Sequence, residues 1–451
     1  MPKIAIIGAG SVSFSASLIR DLTLTRDLYG STVTFMDIDE KRLDMVYDLA
    51  QRYMKEVSAE LKLEKTTDRK RAIDGADFVI NTVKVGGYGF MEAERDIAER
   101  HGYYRGIGDQ VSDYYGGLAA FKQLNFILDL ARDVEEVNPD AYFLQVSNPV
   151  FEGTNLLIRE TKLKAIGFCH GAEEFKIVTR VMGLKEEEIE FQVAGFNHCI
   201  WLTRFLYQGK DGYPLLDEWI EKESAKYFQS EEYLNNPWGY QLCPAVIEMY
   251  RLYGLFPVGD TVRSVSPWWF NTDLETKKKW FSSGGPDSEI GWTMYLFGLK
   301  LRLRSMMTAY ENKEINLARE FSMLPSSEAI VPFIDSVVND KKLRLILNVP
   351  NDGAIEGIPD NVVVEVPVIV GRDSIEREKI GRLPGRLMVH IIAPRWWKME
   401  NILQAFKDRD KMSLLLMIAE DHRTKSFEQA KNLLEELMSQ DWNKDLREHY
   451  K

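Results

Sequence analysis

Short apolar runs rich in β-branched residues alternate with longer stretches of helical period through the first 170 residues, and this alternation is the strongest constraint on the fold. "KIAIIGAG" (3–10), "TVTFMDID" (32–39), "ADFVINTV" (76–83), "AYFLQVSNP" (141–149) and "KAIGFC" (164–169) read as buried strands. "SASLIRDLTLT" and "EKRLDMVYDLAQRYMKEV" lie between the first of them with the spacing of amphipathic helices. Strand–helix–strand repetition predicts a parallel sheet with crossover helices, an α/β fold of Rossmann type. Ligands of such sheets bind beyond the carboxyl ends of the strands, so the residues just after each strand are the ones to question. Past residue 170 the pattern loosens. "EIEFQVAGFNHCIWLTRFLYQG" (189–209) predicts two adjacent strands with a bend at Gly195 to His198, 214–258 is mainly helical, 328–372 strand-rich and 396–445 helical again. At 451 residues the chain exceeds what one hydrophobic core normally serves. We therefore expect a dinucleotide-binding domain over 1–188 and an α+β substrate domain over 189–451, tightly packed because no Pro/Gly/Ser linker divides them.

The first strand end, "GAGSVSFS", supplies Gly8, Gly10, Ser11 and Val12, with Ser13 where a dinucleotide fingerprint prefers Gly or Ala. Such a turn lets backbone amides and a helix N-terminus approach a pyrophosphate. A GxG pair alone is equally a structural turn. Its setting between the first strand and a helix favours the cofactor, as does Asp37 at the end of the next strand, where a carboxylate would accept hydrogen bonds from a ribose. Asp37 without a nearby compensating basic residue favours NAD over NADP.

"FCHGAEE" (168–174) places a thiol beside an imidazole in a chain with three cysteines and six histidines. Neighbours on an extended strand face opposite ways, so Cys169 and His170 would not grip one ion together. A second pairing, His198 in "GFNHCIW" (195–201), puts two of the cysteines and two of the histidines within residues 169–199. On spacing alone, ordinary burial of Cys and His explains the cluster as well as a metal site does. Other classes are excluded more simply. A net charge of −12 with no basic block argues against nucleic acid, and no apolar run reaches the roughly 18 residues of a membrane span. Three cysteines without framework spacing fit free thiols in a reducing cytoplasm.

Gly8-Ala9-Gly10-Ser11 with Asp37, "VSNPV" (146–150), "CHG" (169–171), "NH" (197–198) and "GDTVR" (259–263) occur in an order that resembles the NAD- and divalent-metal-dependent glycoside hydrolases of family 4. The resemblance spans the chain. It implies a nicotinamide domain like that of lactate and malate dehydrogenases, an α+β substrate domain, and Mn2+ or another divalent transition metal held by Cys169 and His198. It also implies transient oxidation of the sugar's C3 hydroxyl by NAD+, loss of the acidified C2 proton, departure of the C1 substituent, water addition and return of the hydride. In that scheme Asp260 is the base and Asp109 the leaving-group acid, with Asp113 or a water as its alternative. Asn148, His170, Gly171 and Arg263 would contact the sugar. Within the family, Cys-His-Gly resembles the α-glucuronidases, whereas Cys-His-Glu resembles α-glucosidases and Cys-His-Ser α-galactosidases. The expectation is thus an α-glucuronidase acting on a small glycoside, with α-glucosidase or α-galacturonidase as alternatives and a homo-oligomer, dimer or tetramer, as its assembly. Arg105, Arg263 and the backbone near Gly171 are candidates for holding a C5 carboxylate, Lys84 a weaker one. Trp238, Trp268, Trp269, Trp396 and Trp397 would be sugar platforms or, more often, core and interface. Two other classes are a 2-hydroxy-acid dehydrogenase releasing NADH and a silent NAD-binding regulator.

Overall fold

Six parallel strands form the expected first layer: β1 (Lys3–Ile7), β2 (Thr32–Met36), β3 (Lys62–Thr66), β4 (Phe78–Asn81), β5 (Tyr142–Gln145) and β6 (Lys164–Gly167). A computed structural model describes residues 1–11, 15–103, 118–235, 242–270, 272–281, 289–320 and 323–451 of the chain. The strands are ordered β6-β5-β4-β1-β2-β3, so the chain starts at the centre and reverses direction across β1 and β4. That reversal opens a crevice at the carboxyl ends. Strand burial explains the continuous apolar runs. Ile4, Ile6, Phe78, Ile80, Leu144 and Ile166 face one core, and Ala5, Ile7, Val79, Phe143 and Ala165 face the other. Alternate residues thus enter opposite layers, as the period of two requires. The second layer is closed by Ile127, Leu130, Ala131 and Val134 from helix Leu118–Val137. Phe143 is fully buried there, and its truncation to alanine would cost about 3–5 kcal/mol.

The sheet does not stop at β6. It continues antiparallel through β11 (Leu343–Pro350), β12 (Val363–Val370), β7 (Ile189–Phe196), β8 (Cys199–Tyr207) and β10 (Phe256–Val258), with β9 (Lys210–Asp211) on β8 and β13 (Ile375–Arg377) on β12. The junction is Gly167 opposite Asn348. A Cβ on Gly167 would lie 2.6 Å from Thr154 Oγ1 and 2.8 Å from Asn348 Cβ, so only glycine lets the strands close. We propose the boundary at 188/189 on this architecture, with one sheet running across it. Five strand spacings separate β10 from β6, about 24 Å in a flat sheet. Yet the residue after β10, Gly259, touches the backbone of Gly171, four residues beyond β6. The sheet must therefore curl, and the curl brings loops from both halves of the chain to one place.

Two elements depart from the sequence reading. β3, "KLEKT", has no apolar signature because it is the charged edge of the sheet, a common guard against edge pairing. Residues 330–339, within the segment read as strand-rich, form the helix Ile330–Asn339, whose Phe333 packs against Tyr142 of β5 and Phe168 just beyond β6. Among the described residues no helix is long and apolar enough to cross a membrane.

Candidate active site

At the nucleotide end, Gly8 adopts φ +88°, which a side chain would resist, and a Cβ there would lie 2.8 Å from Val83 Cγ2. The amides of Gly8 and Ala9 donate to Met36 O at the end of β2, both at 2.9 Å. Gly10 N donates to Asp37 Oδ2 at 2.8 Å, and Asp39 N to Asp37 Oδ1 at 2.9 Å, fixing the carboxylate at the crevice edge. The structure thus brings Gly8, Gly10 and Asp37 together, with Ser11 N donating to Gly8 O at 3.1 Å. Val12 lies outside the described residues, as do Arg105, Asp109, Asp113 and Trp238. One correction applies here. A basic residue does stand near Asp37, because a Cβ on Gly10 would meet both Asp37 Oδ2 and Arg42 Cβ. Arg42 turns to Asp39, 3.4 Å away, and the sequence reading missed it because the helix start folds it back.

The thiol and imidazoles come together through three loops. Cys169 and His170 follow β6. Asn197 and His198 are the two-residue turn between β7 and β8, and His198 takes φ +57°, a left-handed conformation costing a non-glycine residue about 1–2 kcal/mol. Gly259 to Arg263 follows β10. Thr261, fully buried, ties that loop to the turn: its hydroxyl donates to Val258 O (2.6 Å) or Ile200 O (2.9 Å) and accepts from Ile200 N (2.8 Å). Gly259, at φ +61°, lies so close to Gly171 that a Cβ would come within 2.5 Å of its carbonyl oxygen.

Asp260 is then held between a guanidinium and an imidazole. Arg263 Nη2 pairs with its Oδ1 at 3.0 Å, and His198 Nε2 is 3.5 Å from its Oδ2. The Arg263 side chain is 7% and the Asp260 side chain 18% exposed, so this is no surface ion pair. Burial drives His198 down to about 4, against the opposing pull of Asp260, and leaves its imidazole neutral and able to bind a metal. Burial, with the charges of Glu365 and Asp260, pushes the Cys169 thiol well up. Of the three cysteines it alone is not fully buried. His170 pairs with carboxylates, and its charge still reaches His198 and Glu365. Its Nδ1 is 3.0 Å from Glu328 Oε1 and its Nε2 3.9 Å from Glu174 Oε1, and the Glu328 contact raises it to about 9 although its side chain is half exposed.

Sequence reasoning missed two carboxylates. Glu328 is seated by Ser326, whose Oγ accepts from Glu328 N at 3.2 Å and whose amide donates to buried Asp21 of the first helix at 2.8 Å. Glu365, 1% exposed on β12, accepts from Asn197 Nδ2 (3.0 Å) and Asn348 Nδ2 (3.2 Å), and burial raises it to about 7. A lone glutamate inside the valine run "VVVEVPVIV" was the available signal. A buried ion pair, Arg395 with Glu152 at 2.6 Å, also lies near enough for Arg395 to press on His198. Among the tryptophans, Trp268, Trp269 and Trp397 are about half exposed. Asn148 follows β5 with its Oδ1 buried and without a hydrogen-bond partner among the described residues.

Three more buried atoms of the site lack hydrogen-bond partners among the described residues: His198 Nδ1, Glu365 Oε1 and Asn348 Oδ1. A thiol, a neutral imidazole and unfilled acceptors suit a borderline divalent cation. Among the described residues no group of three or more His, Cys, Asp or Glu side chains forms a metal cage. Two protein ligands would leave positions open for water and sugar oxygens.

A Rossmann-type nucleotide crevice that opens onto thiol, imidazole and carboxylate groups defines a dinucleotide-binding enzyme architecture. The sequence profile described as "Family 4 glycosyl hydrolase" matches residues 3–183, and that of the family's C-terminal domain matches 193–424. The chain belongs to family 4 of the glycoside hydrolases. It is 28% identical over 396 residues to an α-galactosidase of Bacillus subtilis (86% of this chain, 85% of the relative). It is 25% identical over 461 residues to an α-galacturonidase of Thermoanaerobacterium saccharolyticum (96% and 94%). Among solved structures, a 6-phospho-α-glucosidase from gut microorganisms in complex with NAD and Mn2+ superposes with a TM-score of 0.80 at 19% identity, covering 99% of this chain and 98% of that one. A malate dehydrogenase of Cryptosporidium parvum shares the fold more distantly, with a TM-score of 0.52 at 16% identity over 90% of this chain and 99% of that one. The lactate/malate dehydrogenase-like fold is thus confirmed.

Proposed function

We propose that this glycosidase is an α-glucuronidase that uses NAD+ and a divalent ion, Mn2+ or another transition metal, held by Cys169 and His198. Reversible oxidation at the sugar's C3 and Lewis-acid polarisation of its C2 and C3 oxygens are the chemistry the two groups supply when bound. The protein's own residues do the rest. Asp260 Oδ2 takes the C2 proton, and Arg263 fixes the carboxylate by holding its other oxygen. Neutral His198 can accept a metal without first losing a proton, whereas the raised Cys169 thiol must shed one. The buried amide oxygen of Asn148 is ready to accept from a sugar hydroxyl. Asp109 is the proposed acid for the leaving group.

The observation that carries the uronate reading is the missing side chain at Gly171. A Cβ there would sit in ordinary contact, 3.5 Å from Cys169 Sγ, so a side chain at this position would begin beside the proposed metal-ligand thiol. Leaving it empty keeps a like charge away from a C5 carboxylate and leaves room for it. Positive charge is also near, because Arg263 and Arg395 both act on His198. A second reading, α-galacturonidase, is favoured by the near full-length similarity to relatives of that name. The test is a panel of p-nitrophenyl α-glucuronide, α-galacturonide, α-glucoside and α-galactoside with NAD+, Mn2+ and a thiol reductant. The glucuronide is expected to have the highest kcat/KM. A faster galacturonide moves the assignment to the second reading, and a faster neutral glycoside rejects both.

A further inference from the structure

We infer that Glu365 is a positioning residue that braces the turn carrying His198 against the strand paired with the end of β6, and that its carboxylate, ionised when a cation is bound, favours that cation. The inference rests on the metal-dependent reading of Cys169 and His198. Four strands meet in one row at this point: Gly167 of β6 is opposite Asn348 of β11, Asn348 is opposite Glu365 of β12, and Glu365 is opposite Gly195 of β7. Cys169 leaves this row two residues beyond Gly167, and His198 three residues beyond Gly195. Glu365 is therefore placed between the two ligand loops by backbone register, independently of its side chain.

Its carboxylate makes the connection physical. One oxygen, Oε2, accepts from the amide of Asn197, the residue before His198, and from the amide of Asn348, the residue paired with the end of β6. The left-handed backbone of His198 persists only if its surroundings hold it, and the Asn197–Glu365 bond is one such restraint. The other oxygen, Oε1, is buried with no hydrogen-bond partner among the described residues, as is Asn348 Oδ1 beside it. Buried acceptors left unfilled are costly unless a cation or donor compensates them. A divalent ion on Cys169 and His198 would compensate this one through space. Loss of an outer-shell partner of a metal site typically costs about 10- to 100-fold in metal affinity.

Glu365→Gln keeps the shape and an amide oxygen for Asn197 and Asn348 but removes the charge. Mn2+ titration of the NAD+-loaded protein, followed by electron paramagnetic resonance of free Mn2+, should show affinity falling about 10- to 100-fold while NAD+ affinity stays within twofold. A merely structural role would leave Mn2+ affinity within twofold of wild type, and that result overturns the inference. If the variant does not accumulate folded, Glu365→Asp decides: it retains charge but withdraws it from Asn197. A threefold or larger loss of Mn2+ affinity supports the inference, and no change overturns it. Cys169→Ala separates the two levels. If it binds Mn2+ like wild type, the ligand assignment fails and the Glu365 role with it, whereas loss in Cys169→Ala beside retention in Glu365→Gln rejects Glu365 alone.

Discussion

Gly171→Glu should convert a site open to uronates into one that repels them. The backbone at Gly171 is not left-handed and the new Cβ meets Cys169 Sγ at 3.5 Å, so the Cβ itself asks for no rearrangement. A glutamate carboxylate extends about 2.5 Å beyond its Cβ, which keeps it in the neighbourhood of the thiol and hence of the sugar. Two carboxylates about 5 Å apart at an effective dielectric of about 20 repel by about 3 kcal/mol. That corresponds to a loss of about two orders of magnitude in kcat/KM on p-nitrophenyl α-glucuronide. Gly171→Gln adds the same volume without charge, so the ratio between the two variants isolates the electrostatic part. The neutral α-glucoside should distinguish the two variants by no more than about threefold, because it carries no charge for the glutamate to repel. Equal losses for Glu and Gln, or equal losses on both substrates, would refute the reasoning and place the effect in sterics or metal binding.

Cys169→Ala or His198→Ala should abolish turnover while leaving NAD+ binding, measured by fluorescence titration, within about threefold, since neither belongs to the glycine turn or to its Asp37 contact; near-full activity in either variant contradicts the ligand assignment. Gly10→Ala should do the reverse: its Cβ would lie 2.8 Å from Asp37 Oδ2, and NAD+ affinity should fall at least about tenfold with Mn2+ affinity retained. Glu328→Gln tests the His170 pair through stability in metal-free protein. The imidazole is raised from 6.5 to about 9, so the pair stabilises the fold fully below pH 6.5 and ceases to do so as pH rises through 9. His170 is half exposed, which limits the effect to about 0.5–1 kcal/mol, or about 0.5–1 °C in Tm at pH 6, vanishing by pH 10. A Tm difference that persists unchanged at pH 10 would show that Glu328 acts by packing and not by charge.

The parallel half of the fold was legible because both faces of its strands are buried. "KIAIIG", "ADFVIN" and "AYFLQ" have no choice but to be apolar throughout, and the helices between them carry the complementary period. β3 was silent because an edge strand solvated on one side needs no such pattern. The loops that converge at the candidate site were legible where one loop carries its own chemistry, as in "CHG", "NH" and "GDTVR". What the sequence withheld was everything that depends on the curl of the sheet. Thr261 is an ordinary threonine until the loop after β10 docks on Ile200. Glu365 is one acid among many until β12 slots between β11 and β7. Glu328 matters because a helix 300 residues earlier anchors its loop through Asp21. Partners this far apart in sequence leave no local period or spacing to read.

The central claim, that hydrolysis proceeds through proton loss at C2 and not through direct displacement at C1, is tested most directly with p-nitrophenyl α-glucuronide deuterated at C2, turned over in ordinary water with NAD+ and Mn2+. The account predicts that the released sugar has exchanged its C2 deuterium for solvent hydrogen, as read by nuclear magnetic resonance, while nitrophenol accumulates without net NADH. Full retention of deuterium at C2 in the product would contradict it.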